Sequence, residues 1–206
     1  MNYTESLAYL DSLGKFGIKL GMERIEGLLR ELGNPEQKIK TVHVTGTNGK
    51  GSVTSMITNI LLAANLKVGK FTSPHLVKYN ERINLNGKDI SDEDFATAIT
   101  AVKVAADSVV KKGVCEQPTQ FEILTAAAFL YFYLQKVDYA VIEVGMGGLW
   151  DSTNVITPVV SVITNVALDH TDRCGKTLER IAMQKAGIIK EKAPLVTAAE
   201  GNEALG

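Results

Sequence analysis

Residues 43–52, HVTGTNGKGS, hold three glycines within six positions, with a lysine between two of them. Glycine there opens backbone conformations closed to other residues and lets a ligand approach the main chain closely. Where such a loop joins a strand to a helix, its N–H groups and the positive end of the helix dipole face an anion together. Lys50 adds a full positive charge. The chemistry indicated is phosphate binding, with Thr47, Asn48, Gly49, Lys50, Gly51 and Ser52 around a nucleotide. The stretch departs twice from the pattern G-x-x-x-x-G-K-[ST]. Val44 stands at the first glycine and Gly51 follows Lys50, so a hydroxyl for Mg²⁺ must come from Ser52 or from another segment. The plainer alternative is a tight strand-to-helix turn with Lys50 in solvent.

Other polar residues sit where chemistry is possible. Glu143 ends the apolar run VDYAVIEVG (137–145), and a carboxylate at the C-terminal end of a parallel strand lies beside the ligand crevice of an open α/β sheet. The alternative is a solvated strand-end glutamate. His170 follows the next apolar run, PVVSVITNV (158–166), and so belongs to the same edge. Its residue type alone favours packing or a helix start, because Mg²⁺ prefers oxygen ligands. Asp169 and Asp172 are suited to capping the following turn. Ser73, before Pro74, is a turn serine or a ligand hydroxyl. His43, inside a strand, reads as a satisfied core residue, and Lys185 as an ordinary exposed helical lysine.

The elements that must position these groups follow from periodicity. Amphipathic helices are expected at about 4–13 and 22–32, the second with Ile25, Leu28, Leu29 and Leu32 on one face. A buried strand at 40–46 runs into the glycine loop, and a helix at 50–64 follows with Met56, Ile60 and Leu61 as its apolar face. A second strand, 67–73, completes a βαβ unit with a right-handed crossover. Asn86-Gly87 within 81–91 is a hairpin signal. The capping-box patterns SDED (91–94) and TQFE (119–122) start helices near 92 and 120. The runs 137–145 and 158–166 read as central parallel strands covered on both faces. A helix at 176–187 and a strand at 193–198 close the series.

The bulk properties narrow the function classes. The chain has 206 residues, 45% hydrophobic and 22% charged, as expected of a globular protein with a sizeable core. A net charge of −1 gives no electrostatic argument for nucleic acid or an anionic membrane. The first residues have no apolar signal region, and the most apolar window, 124–134, is too short to span a bilayer. Cys115 and Cys174 match no metal spacing and read as reduced thiols of a cytoplasmic protein.

HVTGTNGKGS (43–52), FTSPHLVKYNERI (71–83), PTQFEILTAAAF (118–129), EVGMGGLWDSTNV (143–155) and ALDHTDRCGKTLERIAMQKAGIIK (167–190) together resemble successive blocks of folylpolyglutamate synthase, a family related to the murein-precursor (Mur) ligases. Trp150 and Cys174 stand where that family often has leucine. The resemblance implies an ATP-dependent ligase that adds L-glutamate to the γ-carboxylate of a reduced folate through an acyl phosphate. It implies Mg²⁺ held by Ser73, Glu143 and His170, and a loop from Ser73, Pro74 and His75 to Arg82 that closes over the pterin end of the folate. It also implies a carbamylated Lys185, a reaction that burial favours by exposing the neutral amine as a nucleophile.

The expected fold is α/β: a mainly parallel, doubly wound sheet with a P-loop and helices on both faces. Residues 1–38 would form a helical lead-in and 39–206 the core, with the family's C-terminal domain missing and the fragment inactive alone. Lys50, His170 and Lys185 would be its catalytic residues. A Mur-type amide ligase and a non-catalytic nucleotide-binding module are the alternatives.

Overall fold

Thr41–Thr45 (β1) is buried at every position, as a strand covered on both faces must be. In the computed structural model, which describes residues 1–14, 21–168 and 176–200, β1 is the middle strand of the five-stranded parallel part of a seven-stranded sheet. Its neighbours are β5 (Tyr139–Glu143) and β6 (Val160–Ile163), both parallel to it. β2 (Val68–Phe71) pairs in parallel with β5, and β7 (Leu195–Thr197) with β6. β3 (Ile83–Leu85) and β4 (Lys88–Asp89) add an antiparallel hairpin beyond β2. Asn86 and Gly87 turn that hairpin with φ of 51° and 80°, the left-handed pair that a two-residue turn requires.

The sheet sorts its helices onto two faces. Six helices are described: α1 (Tyr3–Leu13), α2 (Glu23–Glu31), α3 (Lys50–Ala63), α4 (Asp92–Lys111), α5 (Gln120–Leu134) and α6 (Leu178–Ala186). One core joins Leu10, Ile25 and Leu28 of the first two helices to Ile99 of α4, Phe129 and Phe132 of α5, and Ile142 of the sheet. The lead-in helices thus share the main core. On the other face, α3 covers a valine strip formed by Val42, Val44, Val68, Val141 and Val162.

Ser91 and Thr119 cap α4 and α5 as their sequence patterns predict, each hydroxyl accepting the N–H three residues on. The predicted face of α3 needs correction. Met56 and Ile60 are 63% and 68% exposed, whereas Thr54 and Thr58 are buried and Val53, Ile57 and Leu61 meet the valine strip. Apolar residues fall on more than one side of this helix, so its own periodicity does not choose the inward side. The sheet does.

Candidate functional site at the sheet edge

The strand order β2-β5-β1-β6-β7 creates a topological switch between β1 and β6. The chain leaves β1 toward β2 on one side and leaves β6 toward β7 on the other, which opens a crevice at their C-terminal ends. The glycine loop lies there. Gly46 (φ 152°) passes so close to β6 that a Cβ on it would fall 1.8 Å from Thr164 Oγ1. Gly49, left-handed at φ 78°, starts α3.

The loop is tied to the segment after β6 by contacts that no local pattern announces. The N–H groups of Thr47 and Asn48 both donate to Asn165 Oδ1, at 3.1 and 2.9 Å, and Thr164 Oγ1 donates to Asn48 O at 2.6 Å. Thr47 Oγ1 donates to Ala167 O at 3.0 Å. Two of the six expected phosphate-binding amides are therefore used inside the protein. The first-turn amides of α3, from Lys50 to Ser52, have no acceptor within their own helix. Lys50 arches over the loop, its Nζ donating to Gly46 O and Thr47 O at 3.0 Å each.

Glu143 sits beside this loop, 4% exposed, at the end of β5, paired in register with Val44 of β1. Its Oε2 accepts the N–H of Ser73 at 3.2 Å. A Cβ on Gly51 would lie 3.6 and 3.7 Å from its two oxygens, so the missing side chain leaves the carboxylate open to the loop. Burial raises the pKa of Glu143, and the Ser73 amide, Lys50 and Lys70 offset part of that rise. Ser73, Glu143 and the glycine loop therefore converge.

His170, with Asp169, Asp172 and Cys174, lies outside the described residues. Among the described residues no three His, Cys, Asp or Glu side chains cluster as a metal cage. The donor set at Glu143 nevertheless suits Mg²⁺, a hard ion that takes one or two carboxylates plus phosphate oxygens and retains waters.

Lys185 is 4% exposed near the end of α6, so the plain reading of it as a solvent-facing lysine is corrected. The reason is docking of the segment after Glu143. Leu149 N–H donates to Gln184 O at 2.8 Å, and Asn154 Nδ2 donates to Leu149 O and Gly187 O at 3.1 and 3.0 Å. His43 is fully buried, as expected, but only half satisfied: Nε2 meets Thr153 Oγ1 at 2.9 Å while Nδ1 has no partner. Trp150 is half exposed, and Cys115 is a free thiol.

The Ser73–Pro74 peptide is cis, and the loop beyond it returns to the sheet through Arg82. Arg82 Nε donates to His75 Nδ1 at 2.8 Å, and the His75 ring lies 4.4 Å from that of Tyr79. Gln120 Nε2 at the start of α5 donates to the Tyr79 hydroxyl of this loop at 2.8 Å, a tie between segments that the sequence did not announce. No helix among the described residues is long and apolar enough to cross a membrane.

Residues 44–202 match the family described as the Mur ligase middle domain. The chain is 47% identical over 206 residues to the dihydrofolate synthase/folylpolyglutamate synthase of Bacillus subtilis (strain 168), covering 98% of this chain and 47% of that protein. It is 47% identical over 197 residues to the folylpolyglutamate synthase of Lacticaseibacillus casei, covering 96% of this chain and 46% of that protein. A solved FPGS-AMPPCP-folate complex superposes with a TM-score of 0.93 at 46% identity, over 100% of this chain and 50% of that one. The chain spans about half the length of the curated relatives it matches. The glycine loop, Ser73, Glu143 and the buried lysine of α6 all fall within the family match, and the chain belongs to the Mur ligase family through its middle domain.

Proposed function

We propose that this chain is the ATP-binding part of a folylpolyglutamate synthase-like ligase, and that its glycine loop is a P-loop. The observation that carries this reading is the convergence of Lys50, the first turn of α3, Ser73 and Glu143 at the switch point of the sheet. The names of the relatives, and the AMPPCP and folate in the solved complex, support the same substrates.

In this reaction the γ-carboxylate oxygen of a folate attacks the γ-phosphorus of ATP, and ADP leaves with the bonding electrons. The amino nitrogen of L-glutamate then attacks the carbonyl carbon of the acyl phosphate, releases phosphate and loses a proton as the amide forms. No protein nucleophile is required. The chain supplies position and charge, as in other phosphoryl transfers. Lys50 and the amides of Gly49, Lys50, Gly51 and Ser52 hold phosphate oxygens. Lys50 exchanges its two internal carbonyl contacts for the anion.

Glu143, Ser73 and His170 are the residues proposed to hold Mg²⁺, which when bound offsets phosphate charge. Lys185, buried on α6, is the candidate for carbamylation: its Nζ bonds the carbon of CO₂ and releases a proton. Pro74, His75 and Arg82 border the folate side. Glutamate selection and part of the ATP site are assigned to a further part of the longer relatives.

Calorimetry with MgATP tests the central claim, on this chain or on a longer ligase that carries it. Lys50→Ala removes charge-assisted hydrogen bonds of about 1.5–3 kcal/mol, so affinity should fall about 10- to 100-fold while the fold persists. Equal affinity in the variant and the parent would end the P-loop reading.

A further inference from the structure

Two successive peptide units of the glycine loop, Gly46–Thr47 and Thr47–Asn48, are held from both sides. A peptide is planar, and in the trans form its C=O and N–H point in opposite directions. Among the described residues only Ser73–Pro74 is cis, so both units are trans. The N–H side of each meets Asn165. Thr47 N–H donates to Asn165 O and Oδ1, both at 3.1 Å, and Asn48 N–H donates to Oδ1 at 2.9 Å. The C=O side of each meets Lys50, whose Nζ donates to Gly46 O and Thr47 O at 3.0 Å each. One side-chain oxygen thus faces one ammonium across two peptide planes.

The neighbouring ties brace the same junction. Thr164 N–H donates to Thr45 O at 2.9 Å, which carries the pairing of β1 with β6 one step past Ile163. Thr47 Oγ1 donates to Ala167 O and accepts the Ala167 N–H, at 3.0 Å each. None of these bonds reaches the Asn48 N–H, which depends on the Asn165 side chain, whereas Thr47 N–H also has the Asn165 main-chain oxygen. Hydrogen bonds that share peptide units polarise one another, so an acceptor on the N–H side strengthens the carbonyl on the far side.

We propose that Asn165 is a positioning residue for Lys50. Its Oδ1 orients the two peptides so that both carbonyls face the ammonium and hold it over the loop until phosphate oxygens take over those bonds. The inference rests on the P-loop reading above and adds to it the group that sets the lysine. Without Oδ1 the Thr47–Asn48 peptide is free to turn, and the anion must order the lysine stem itself. Ordering a long side chain at the binding step weakens affinity.

Two variants separate the acceptor from the rest of the side chain. Asn165→Ala removes it, and Asn165→Asp keeps an oxygen in its place. On this chain without nucleotide, amide exchange should quicken at Asn48 in Asn165→Ala, less so at Thr47, and stay near the parent rate in Asn165→Asp. Acetylation of Lys50, read by mass spectrometry, should speed up about 2- to 10-fold in Asn165→Ala, the worth of one ordinary hydrogen bond. In Asn165→Asp it should be no faster than in the parent. Calorimetry with MgATP, on this chain or on a longer ligase that carries it, should show affinity about 2- to 10-fold weaker in Asn165→Ala. The same change made in Lys50→Ala should have no further effect, because a residue that acts through Lys50 then has nothing to position.

Unchanged Lys50 acetylation in a folded Asn165→Ala overturns the proposal whatever the nucleotide does. If Asn165→Ala does not fold, Asn165→Asp decides, and faster acetylation in it overturns the proposal. Equal or tighter MgATP affinity in Asn165→Ala, or additive losses in the double variant, would mean that Asn165 does not act through Lys50. MgATP binding that Lys50→Ala leaves unchanged overturns the P-loop reading, a failure distinguishable because exchange and acetylation still judge the tie between Asn165 and Lys50.

Discussion

His43 has burial on every side and a hydrogen-bond partner on one nitrogen only. Burial, with a smaller push from Lys190, lowers its pKa from 6.5 to about 3. Between those values the unfolded chain binds a proton that the folded chain refuses, so stability falls as pH drops from 6.5 toward 3. The slope from this one ring reaches at most about 1.4 kcal/mol per pH unit. Urea unfolding at about pH 7 and about pH 5 should show the loss, and His43→Gln should flatten it. Parallel pH dependences in parent and variant would assign the loss to other groups. Glu143, by contrast, has its pKa raised by burial, a rise that the Ser73 amide, Lys50 and Lys70 only partly offset.

Helix docking depends on a few tight pairings. Arg24 of α2 donates through Nε to both oxygens of Glu122 on α5, at 3.1 and 3.2 Å, with both residues buried. The same carboxylate accepts the Thr119 N–H, so one glutamate both caps α5 and anchors α2. Arg24→Leu should cost about 3–5 kcal/mol, because it strands a buried carboxylate. Adding Glu122→Gln should recover much of that loss in urea unfolding, and no recovery would mean that packing of the arginine stem dominates.

A second pairing sets how closely α5 approaches the sheet. A Cβ on Gly69 of β2 would sit 2.6–2.8 Å from three ring atoms of Phe132, which is fully buried and cannot swing away. Gly69→Ala should destabilise by about 1–3 kcal/mol through overpacking. Phe132→Leu in the same chain should relieve part of the clash, so the two changes should be less than additive by calorimetry.

At the scale of the molecule, one sheet edge gathers the ends of four strands. β1 delivers the glycine loop, β2 delivers Ser73, β5 delivers Glu143, and β6 delivers Thr164 and Asn165. In the proposed reading this constellation holds a nucleotide and one carboxylate substrate. Joining an amine to that substrate depends on holding both reactants together, an effect worth up to about 7–11 kcal/mol of barrier. In the proposed reading the amine is held by the further part of the longer relatives, so residues 1–206 alone should add no glutamate to a folate and bind MgATP weakly. Chromatography of a reaction of this chain with folate, glutamate and MgATP reads this directly. Robust glutamate addition would place the whole active site in this chain.

The sequence by itself determined what nearest neighbours along the chain decide. The Asn86-Gly87 turn, the caps at Ser91 and Thr119, the glycine loop between strand and helix, and Glu143 at a strand end all follow from residues a few positions apart. Tertiary structure decided the rest. It turned Met56 and Ile60 outward, because α3 is apolar on more than one side and only the valine strip selects between them. It spent the Thr47 and Asn48 amides on Asn165, buried Lys185 through the docking of Leu149 on α6, and joined Arg24 to Glu122. Asn165 lies 118 residues beyond Thr47, and Glu122 lies 98 beyond Arg24. Over such separations a residue's partner is set by strand order and helix docking, which no local pattern encodes.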